Sequence, residues 1–455
     1  MSRPRPTFFC RECGGESLRW EGRCPACGAW NALVEAPALG TSAREGRWKD
    51  ASRGETRPEP LAGETPPEAA RIAVGLGEMD RVLGGGLVPG SLLLLGGAPG
   101  VGKSTLLLQA AGAVAAAGRD VLYASGEESR DQVRLRAGRL GAAAGAVSFL
   151  ATRSVEEILA TADRVRPSLL CVDSVQTLAS AEVGSASGTV SQVRACSAAL
   201  QQLAKSTAAA TVLVGHVTKD GSLAGPRTLE HLVDVVLHFE GGRAGEYRIL
   251  RGGKNRFGAA DELAVFRMTA AGLEPVPDPT SLFLEDRNES VSGSAIAVPL
   301  HGSRPLLAEV QALTARSRYP TPQRVATGLA PRRLSILLAV LERRGGIDLG
   351  EVDVFVNVIG GLRLSDPASD LAVAAAIASA RLDRPLPART AFAAEIGLGG
   401  ELRTVARPEA RIAAARRAGL GSVVLSAGHE AALGAEPGAV FARSLADALR
   451  LGEGP

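Results

Sequence analysis

The sequence predicts an α/β protein with a phosphate-loop nucleotide-binding core. A small N-terminal four-cysteine zinc module precedes that core and a second α/β domain follows it. Three observations carry this. Residues 97–104 read Gly-Ala-Pro-Gly-Val-Gly-Lys-Ser, the G-x-x-x-x-G-K-[ST] pattern, between the apolar run Leu92–Leu95 and the helical stretch from Thr105 to Ala111. From Ile72 to about Pro275, apolar runs at Leu92–Leu95, Val121–Ala124, Leu169–Val172, Thr211–Val214, Val233–Phe239 and Tyr247–Leu250 alternate with helical segments. That alternation predicts a mainly parallel sheet covered by helices. Four of the 6 cysteines fall in two Cys-x-x-Cys pairs near the N-terminus.

A chain of 455 residues has room for about three domains. The spacing of signals divides it into a cysteine module at 1–36, a linker at 37–70, the nucleotide-binding domain at 71–275 and a C-terminal domain at 276–455. The linker is rich in Pro, Gly, Glu and Arg with few large apolar residues. A net charge of +3 is nearly balanced, so whole-chain charge argues for no nucleic-acid partner and any basic surface must be local. The basic, Pro-rich start from Met1 to Pro6 is not followed by an apolar leader segment, and no apolar run is long enough to span a bilayer. A cytoplasmic protein without a membrane partner is expected. The clustered cysteines suit a reducing compartment and a metal site better than a disulfide framework.

In the module, Cys10, Cys13, Cys24 and Cys27 can place four thiolates around a tetrahedral Zn²⁺, with Gly14 and Gly28 one residue past each pair. The pairs are closer together than is usual for this pattern, yet far enough apart for a small hairpin. A redox dithiol pair and an iron–sulfur centre are the rival readings. With four Cys ligands and no open position, a zinc there would be structural, and so small a module would need the metal to fold.

The strand, glycine-rich turn and helix start of the phosphate loop aim backbone N–H groups at one point, where the helix dipole adds positive potential. The loop Gly97, Ala98, Pro99, Gly100, Val101, Gly102, Lys103, Ser104 and Thr105 would therefore cradle a nucleoside triphosphate. Lys103 would reach the β/γ-phosphates, and the Ser104 hydroxyl would serve Mg²⁺. Asp173 ends the strand Leu169–Val172, where a carboxylate supports Mg²⁺ beside such a loop. Glu127 and Glu128 follow the strand Val121–Ala124, and Glu127 is favoured as the base that activates water. His216 closes the strand Thr211–Gly215, where it could sense the γ-phosphate or be structural. Lys254-Asn-Arg256-Phe-Gly258 reads as a polar, Gly-flanked turn after Tyr247–Leu250. Its two cations could reach a neighbour's γ-phosphate as an arginine finger does, or form a solvated basic turn.

These residues stand in a constellation: Gly75 to Gly90 before the phosphate loop, Ser125-Gly-Glu-Glu-Ser129 after it, then Gly215-His-Val-Thr-Lys219 to Pro226, and Lys254 to Gly258. The core resembles RecA, KaiC and DnaB-type ATPases. With the four-Cys module, nearly the whole chain outside the linker resembles the bacterial RadA (Sms) family of DNA repair proteins. That resemblance implies a RecA-like fold and a homo-hexameric ring with nucleotide at the subunit interface. It further implies ATP-driven movement on single-stranded DNA, processing of branched recombination intermediates, and partners among recombinase filaments and helicases. In RecA-like rings the loops equivalent to Thr177–Val190 and Val217–Glu230 point at the central channel. Lys219 and Arg227 are the DNA-binding candidates there, with Arg194 a weaker one. A KaiC-like regulatory ATPase without DNA translocation is the alternative.

The C-terminal domain is read with Val352–Val358 as a strand, Asp370–Ala380 as an Ala-rich helix and Val423–Leu425 as a strand. With Glu395 to Arg403, these stretches resemble the proteolytic domain of Lon, and Ser369 falls near that family's nucleophile. A serine nucleophile needs a base, which in Lon is a lysine. No Lys occurs after Lys254, and Glu409 stands where that lysine belongs. A non-proteolytic, ring-forming domain is expected, with Ser369 an N-cap or turn residue. Arg403, Arg407, Arg411, Arg416 and Arg417 would then face solvent or guide duplex DNA.

Overall fold

Aliphatic runs closed by glycine or a carboxylate build the strands that position the site. The computed structural model describes residues 8–10, 16–17, 19–25, 28, 30–31, 33–35, 71–141, 146–216, 228–241, 246–277 and 287–451. The chain divides into two units. The first is Met1–Glu240 with Gly252–Gly258 and Ala270–Leu273; the second is Gly241–Arg251 and Ala259–Thr269 with Glu274–Pro455.

In the first unit, β1 (Phe8–Cys10) lies between β2 (Glu16–Ser17) and β3 (Leu33–Glu35), antiparallel to both. The larger sheet holds β4 (Leu92–Gly97), β5 (Val121–Ser125), β6 (Val147–Ala151), β7 (Leu169–Asp173), β8 (Ala210–His216) and β9 (Val235–Gly241). Its order is β9-β4-β8-β7-β5-β6, with every one of these pairings parallel. Strands β4, β5 and β7 are buried along their whole length, which is why they read as unbroken apolar runs. The helices are α1 (Gly77–Leu83), α2 (Lys103–Ala116), α3 (Arg130–Arg139), α4 (Val155–Val165), α5 (Val190–Thr207) and α6 (Thr228–Leu232). Ser129 and Gln132 form a reciprocal capping box on α3, and Ser154 caps α4. Ile158, Val193, Cys196 and Leu200 pack beneath Leu94, Leu122, Leu170 and Leu213. Burial pushes the Cys196 thiol up to about 11, and Cys171 higher still, so both act as small apolar groups.

Strand β10 (Tyr247–Asn255) runs antiparallel to β11 (Leu263–Thr269), and β12 (Gly272–Pro275) follows. Sequence pattern alone ends this strand at Leu250 and makes Lys254 part of a turn. In the structure the strand continues through Gly252 and Gly253 to Asn255. Gly253 marks a close approach: a Cβ there would lie 2.7 Å from His238 Nε2.

The second unit's main sheet contains β13 (Ser294–Ala297), β16 (Ala308–Arg316), β17 (Arg324–Thr327), β18 (Val352–Val358), β19 (Thr390–Ala393), β22 (Ser422–Ser426) and β23 (Ala439–Ala442). Two short hairpins, β14 (Leu300–His301) with β15 (Arg304–Pro305) and β20 (Glu395–Ile396) with β21 (Leu402–Arg403), flank it. The order is β17-β18-β16-β13-β19-β22-β23, antiparallel where β16 meets β18 and β13 and parallel elsewhere. Its helices are α7 (Pro331–Arg344), α8 (Asp370–Leu382), α9 (Pro408–Arg417), α10 (Glu430–Leu433) and α11 (Leu445–Leu451). Ala372, Ala374, Ala375, Ala376 and Ala378 of α8 are buried with Leu334, Leu337 and Leu341 of α7 in one core, their small side chains allowing close approach.

One expectation for this unit holds in position only, and a second needs correction. Ser369 does stand at the N-cap of α8, but its hydroxyl makes no cap bond. It is buried without a hydrogen-bond partner among the described residues, while Asp366 accepts from Ala368 N in that turn. Arg411 neither faces solvent nor is free for DNA. It is 1% exposed, its Nη2 lies 2.8 Å from Asp366, and it donates to Val298 O and Ala406 O. The helical period of α9 turns this one arginine inward. Removing one partner of a buried ion pair leaves the other unpaired, so Arg411→Leu should cost about 3–5 kcal/mol. Thermal unfolding of the variant checks this, and an unchanged Tm would contradict it.

Candidate nucleotide site

Parallel strands bring their carboxyl ends to one edge, and three of these ends make the site. Gly97 closes β4, and a Cβ there would sit 2.3 Å from Phe239 O on β9, so only glycine lets the loop start here. Gly102 precedes α2 with φ 110°, a left-handed turn that delivers Lys103 to the first helical position. Lys103 is buried, and its Nζ donates to the carbonyls of Gly97 at 2.9 Å and Ala98 at 3.0 Å. Burial pulls its ammonium below the usual lysine range, while the carboxylates of Asp173 and Glu127 oppose that shift.

Asp173 ends β7 opposite Ser125 of β5 and is almost fully buried. Burial holds its carboxyl above the ordinary range, and hydroxyls of Ser104 and Tyr123 pull it back. The Tyr123 hydroxyl donates to Asp173 Oδ2 at 2.8 Å. A hydroxyl and a carboxylate held together suit a hard divalent cation, so Ser104 and Asp173 fit Mg²⁺ as donor groups. The backbone of His216 pairs with Gly97 across β8 and β4, beside the phosphate loop.

The two candidate bases part company. Glu128 is clamped by Arg136 through two hydrogen bonds, 2.6 Å from Nη1 and 2.5 Å from Nη2. Glu127 instead accepts from the Ser174 hydroxyl at 2.5 Å and sits in the field of Lys103. Glu127, which accepts from a hydroxyl beside the lysine, is better placed to take a proton than Glu128, which a guanidinium neutralises.

Tyr123 and Arg136 went unnoticed in the sequence. The signal for Tyr123 is a lone aromatic hydroxyl inside a buried aliphatic strand, which must find a partner. Burial and the Asp173 charge drive its own pKa well up, so it stays a donor. Tyr123→Phe removes one of the bonds that stabilise ionised Asp173, and the carboxyl then protonates at higher pH. The acid limb of the ATPase pH–rate profile should move to higher pH. An unmoved limb would show that Asp173 does not govern it.

Lys254 and Arg256 lie far from their own phosphate loop. Lys254 Nζ donates to the carbonyls of Glu230 at 2.6 Å and Val233 at 2.7 Å, at the end of α6. Arg256 Nη1 lies 3.0 Å from Asp234 Oδ1, and Asp234 Oδ2 accepts from Leu92 N at 3.0 Å. Leu92 begins β4 and Gly97 ends it, a span of about 17 Å along the strand. The motif is therefore at the opposite edge of the sheet. The Arg256 side chain is 53% exposed there, able to face another molecule.

In the cysteine module, Cys10 and Cys24 are buried together with Leu33, and Gly28 N donates to Cys24 O at 2.9 Å with Gly28 at φ 76°. So small an apolar cluster cannot hold a module folded alone, and paired buried sulfurs fit a metal such as zinc. Cys13, Cys27, Lys219 and Arg227 lie outside the described residues. Among the described residues, no helix is long and apolar enough to cross a membrane.

Fold and site define a P-loop ATPase core carrying an N-terminal zinc ribbon. A profile described as an AAA domain matches residues 59–222, and one described as a rubredoxin metal binding domain matches residues 8–35. Proteins described as DNA repair protein RadA are similar over nearly the full length. That of Brucella abortus is 47% identical over 433 residues, 92% of this chain and 91% of its own. That of Halalkalibacterium halodurans is 44% identical, covering 93% of each chain, and that of Salmonella typhimurium 44%, covering 98% of each. Among solved structures, a KaiC-like protein of Pyrococcus horikoshii covers 46% of this chain at 18% identity, with a TM-score of 0.39. The chain belongs to the RadA family of DNA repair proteins.

Proposed function

We propose that this chain is an ATP-driven DNA motor that processes branched recombination intermediates in repair and homologous recombination. It moves along single-stranded DNA as a homo-hexameric ring in the cytoplasm. The observation that carries the reading is the gathering of Lys103, Ser104, Asp173 and Glu127 at one edge of the parallel sheet, in a member of the RadA family. The loop from Gly97 to Thr105 holds the triphosphate, with Lys103 on its terminal phosphates. Ser104 and Asp173 would hold Mg²⁺, which when bound would neutralise charge on the triphosphate. Glu127 takes a proton from the attacking water. Lys254 and Arg256, at the far edge of the sheet, serve the site of an adjoining subunit.

Cys10, Cys13, Cys24 and Cys27 hold Zn²⁺ in a structural role. The module at 1–36, the linker at 37–70 and the domains at 71–275 and 276–455 act as separate parts. The C-terminal domain is not a working protease: it lacks the lysine base, and the Ser369 hydroxyl is buried. Lys219 and Arg227 contact the phosphates of single-stranded DNA, and recombinase filaments and helicases are the protein partners. Those contacts are ionic, so affinity falls steeply with salt.

The test is a branched-DNA assay with ATP, in which the wild type should move branches and Lys103→Ala should not. Failure of single-stranded DNA to stimulate ATP hydrolysis at low salt would point to a regulatory ATPase and end the motor reading. In the same series, Lys219→Ala combined with Arg227→Ala should weaken single-strand binding and spare ATP binding. Unchanged affinity across a salt titration would remove both residues from the DNA path.

A further inference from the structure

Strand β5 ends at Ser125, and the turn beyond it carries both glutamates. The Ser125 hydroxyl accepts from the backbone of Glu127 at 3.3 Å and of Glu128 at 3.1 Å. The two side chains leave that turn differently: Glu127 is exposed, whereas Glu128 is half-buried. Ser129 then caps α3, whose Val133 and Ala137 are buried. Arg136 follows Val133 by one helical turn and flanks that buried face, and helical side chains lean toward the N-terminus. Its guanidinium therefore reaches back to the residue before the cap. Nη1 lies 2.6 Å from Glu128 Oε2 and Nη2 lies 2.5 Å from Oε1, two parallel charge-assisted bonds.

The place is crowded with negative charge. Burial raises the Asp173 carboxyl, and the charges of Glu127 and Glu128 push the same way, so Glu128 is felt at the end of β7. Lys103 is in the fields of Asp173 and Glu127, and a triphosphate in the loop would add more negative charge there. Arg136 supplies the cation that answers Glu128. Burial works against its guanidinium, but the bonds and charge of Glu128 outweigh this and hold its pKa above the usual arginine range, with the charge of Asp173 adding to the effect. The side chains of Arg136 and Glu128 are 22% and 24% exposed, so water screens the pair only in part. An ion pair that serves only a helix joins residues three or four apart on its surface. This one ties the turn of Glu127 to the second turn of α3.

We propose that Arg136 is a positioning residue for ATP hydrolysis: it holds the Glu128 carboxylate aside and cancels its charge, so that of the two glutamates only Glu127 acts on the triphosphate. The inference rests on the reading of this site as an ATPase with Glu127 as its base. Steady-state ATP hydrolysis by the full chain at saturating Mg²⁺ tests it. Arg136→Met leaves Glu128 an unanswered anion and should raise the KM for ATP about tenfold, with kcat within about threefold, because a fixed charge repels the triphosphate before and during reaction alike. Glu128→Gln leaves the guanidinium unanswered and should lower that KM about threefold. The double variant has neither charge and should return to within about twofold of the wild type. Arg136→Lys keeps a charge without the paired bonds and should fall between the wild type and Arg136→Met. Damage to folding would not give opposite signs for the two halves of one pair, nor vanish when both are removed. A KM that rises in both single variants, or a double variant no better than Arg136→Met, overturns the inference and leaves the base assignment standing. If Arg136→Met does not fold, Glu128→Gln decides alone, and an unchanged KM there overturns the inference. Glu127→Gln belongs in the same series: if it hydrolyses ATP at the parent rate, the base assignment falls and this inference falls with it.

Discussion

Lys103→Ala is expected to leave a folded protein whose ATP turnover has fallen by about 10³-fold or more, the scale of losing a preorganised cation from a phosphoryl-transfer site. The geometry explains the size of the loss. The charges of Asp173 and Glu127 both act on Lys103, and its ammonium is lodged against Gly97 O and Ala98 O. Those carbonyls belong to the loop itself, so the ammonium is already within the space a phosphate chain would enter. In a poorly hydrated site its charge counts for more than it would in water. Alanine suits the first turn of α2, and the buried face of that helix, from Leu106 to Val114, is untouched. Circular dichroism should therefore match the wild type, and Tm should move by only a few degrees, equivalent to about 1 kcal/mol. Turnover measured at saturating Mg²⁺ and ATP decides the matter. A variant that hydrolysed ATP at the parent rate would remove Lys103 from the chemistry and leave it a loop-closing residue.

The parts of this protein that could be read from sequence are those where one physical demand sets residue type. Strands β4 and β7 are buried on both faces, so they are unbroken aliphatic runs; the phosphate loop needs glycine at Gly97 for reasons of space and at Gly102 for its φ. Strand β6, Val147–Ala151, escaped because it is half-exposed and carries Ser148 and Ala151 among its apolar residues. Gly253 misled because glycine marks both a turn and a close approach, and here His238 requires the second. Arg411 misled because sequence clustering says nothing of which way a helix faces; its partner Asp366 is far away in the chain. The choice between Glu127 and Glu128 turns on Arg136 and Ser174, whose proximity only the folded chain creates.

Arg256→Ala should cost about 10³-fold in turnover while ATP binding survives, as expected for an arginine that stabilises transition-state charge from an adjoining subunit. Within its own chain Arg256 cannot do this, since it pairs with Asp234 at the start of β4, the whole length of that strand from the loop at its end. The variant frees Asp234 Oδ1, but Oδ2 keeps its bond from Leu92 N, so the sheet edge should hold and Tm should change little. Mixing separates action across an interface from action within a chain. Lys103→Ala retains Arg256, and Arg256→Ala retains the phosphate loop, so each alone is inactive. In a ring of head-to-tail contacts formed from an equal mixture, about one interface in four unites an intact loop with an intact Arg256, and about a quarter of the activity should return. Either variant mixed with excess of itself gives none. If the mixture stayed as inactive as its components although the subunits exchanged, Arg256 would act only by holding Asp234, and the adjoining-subunit role would fall.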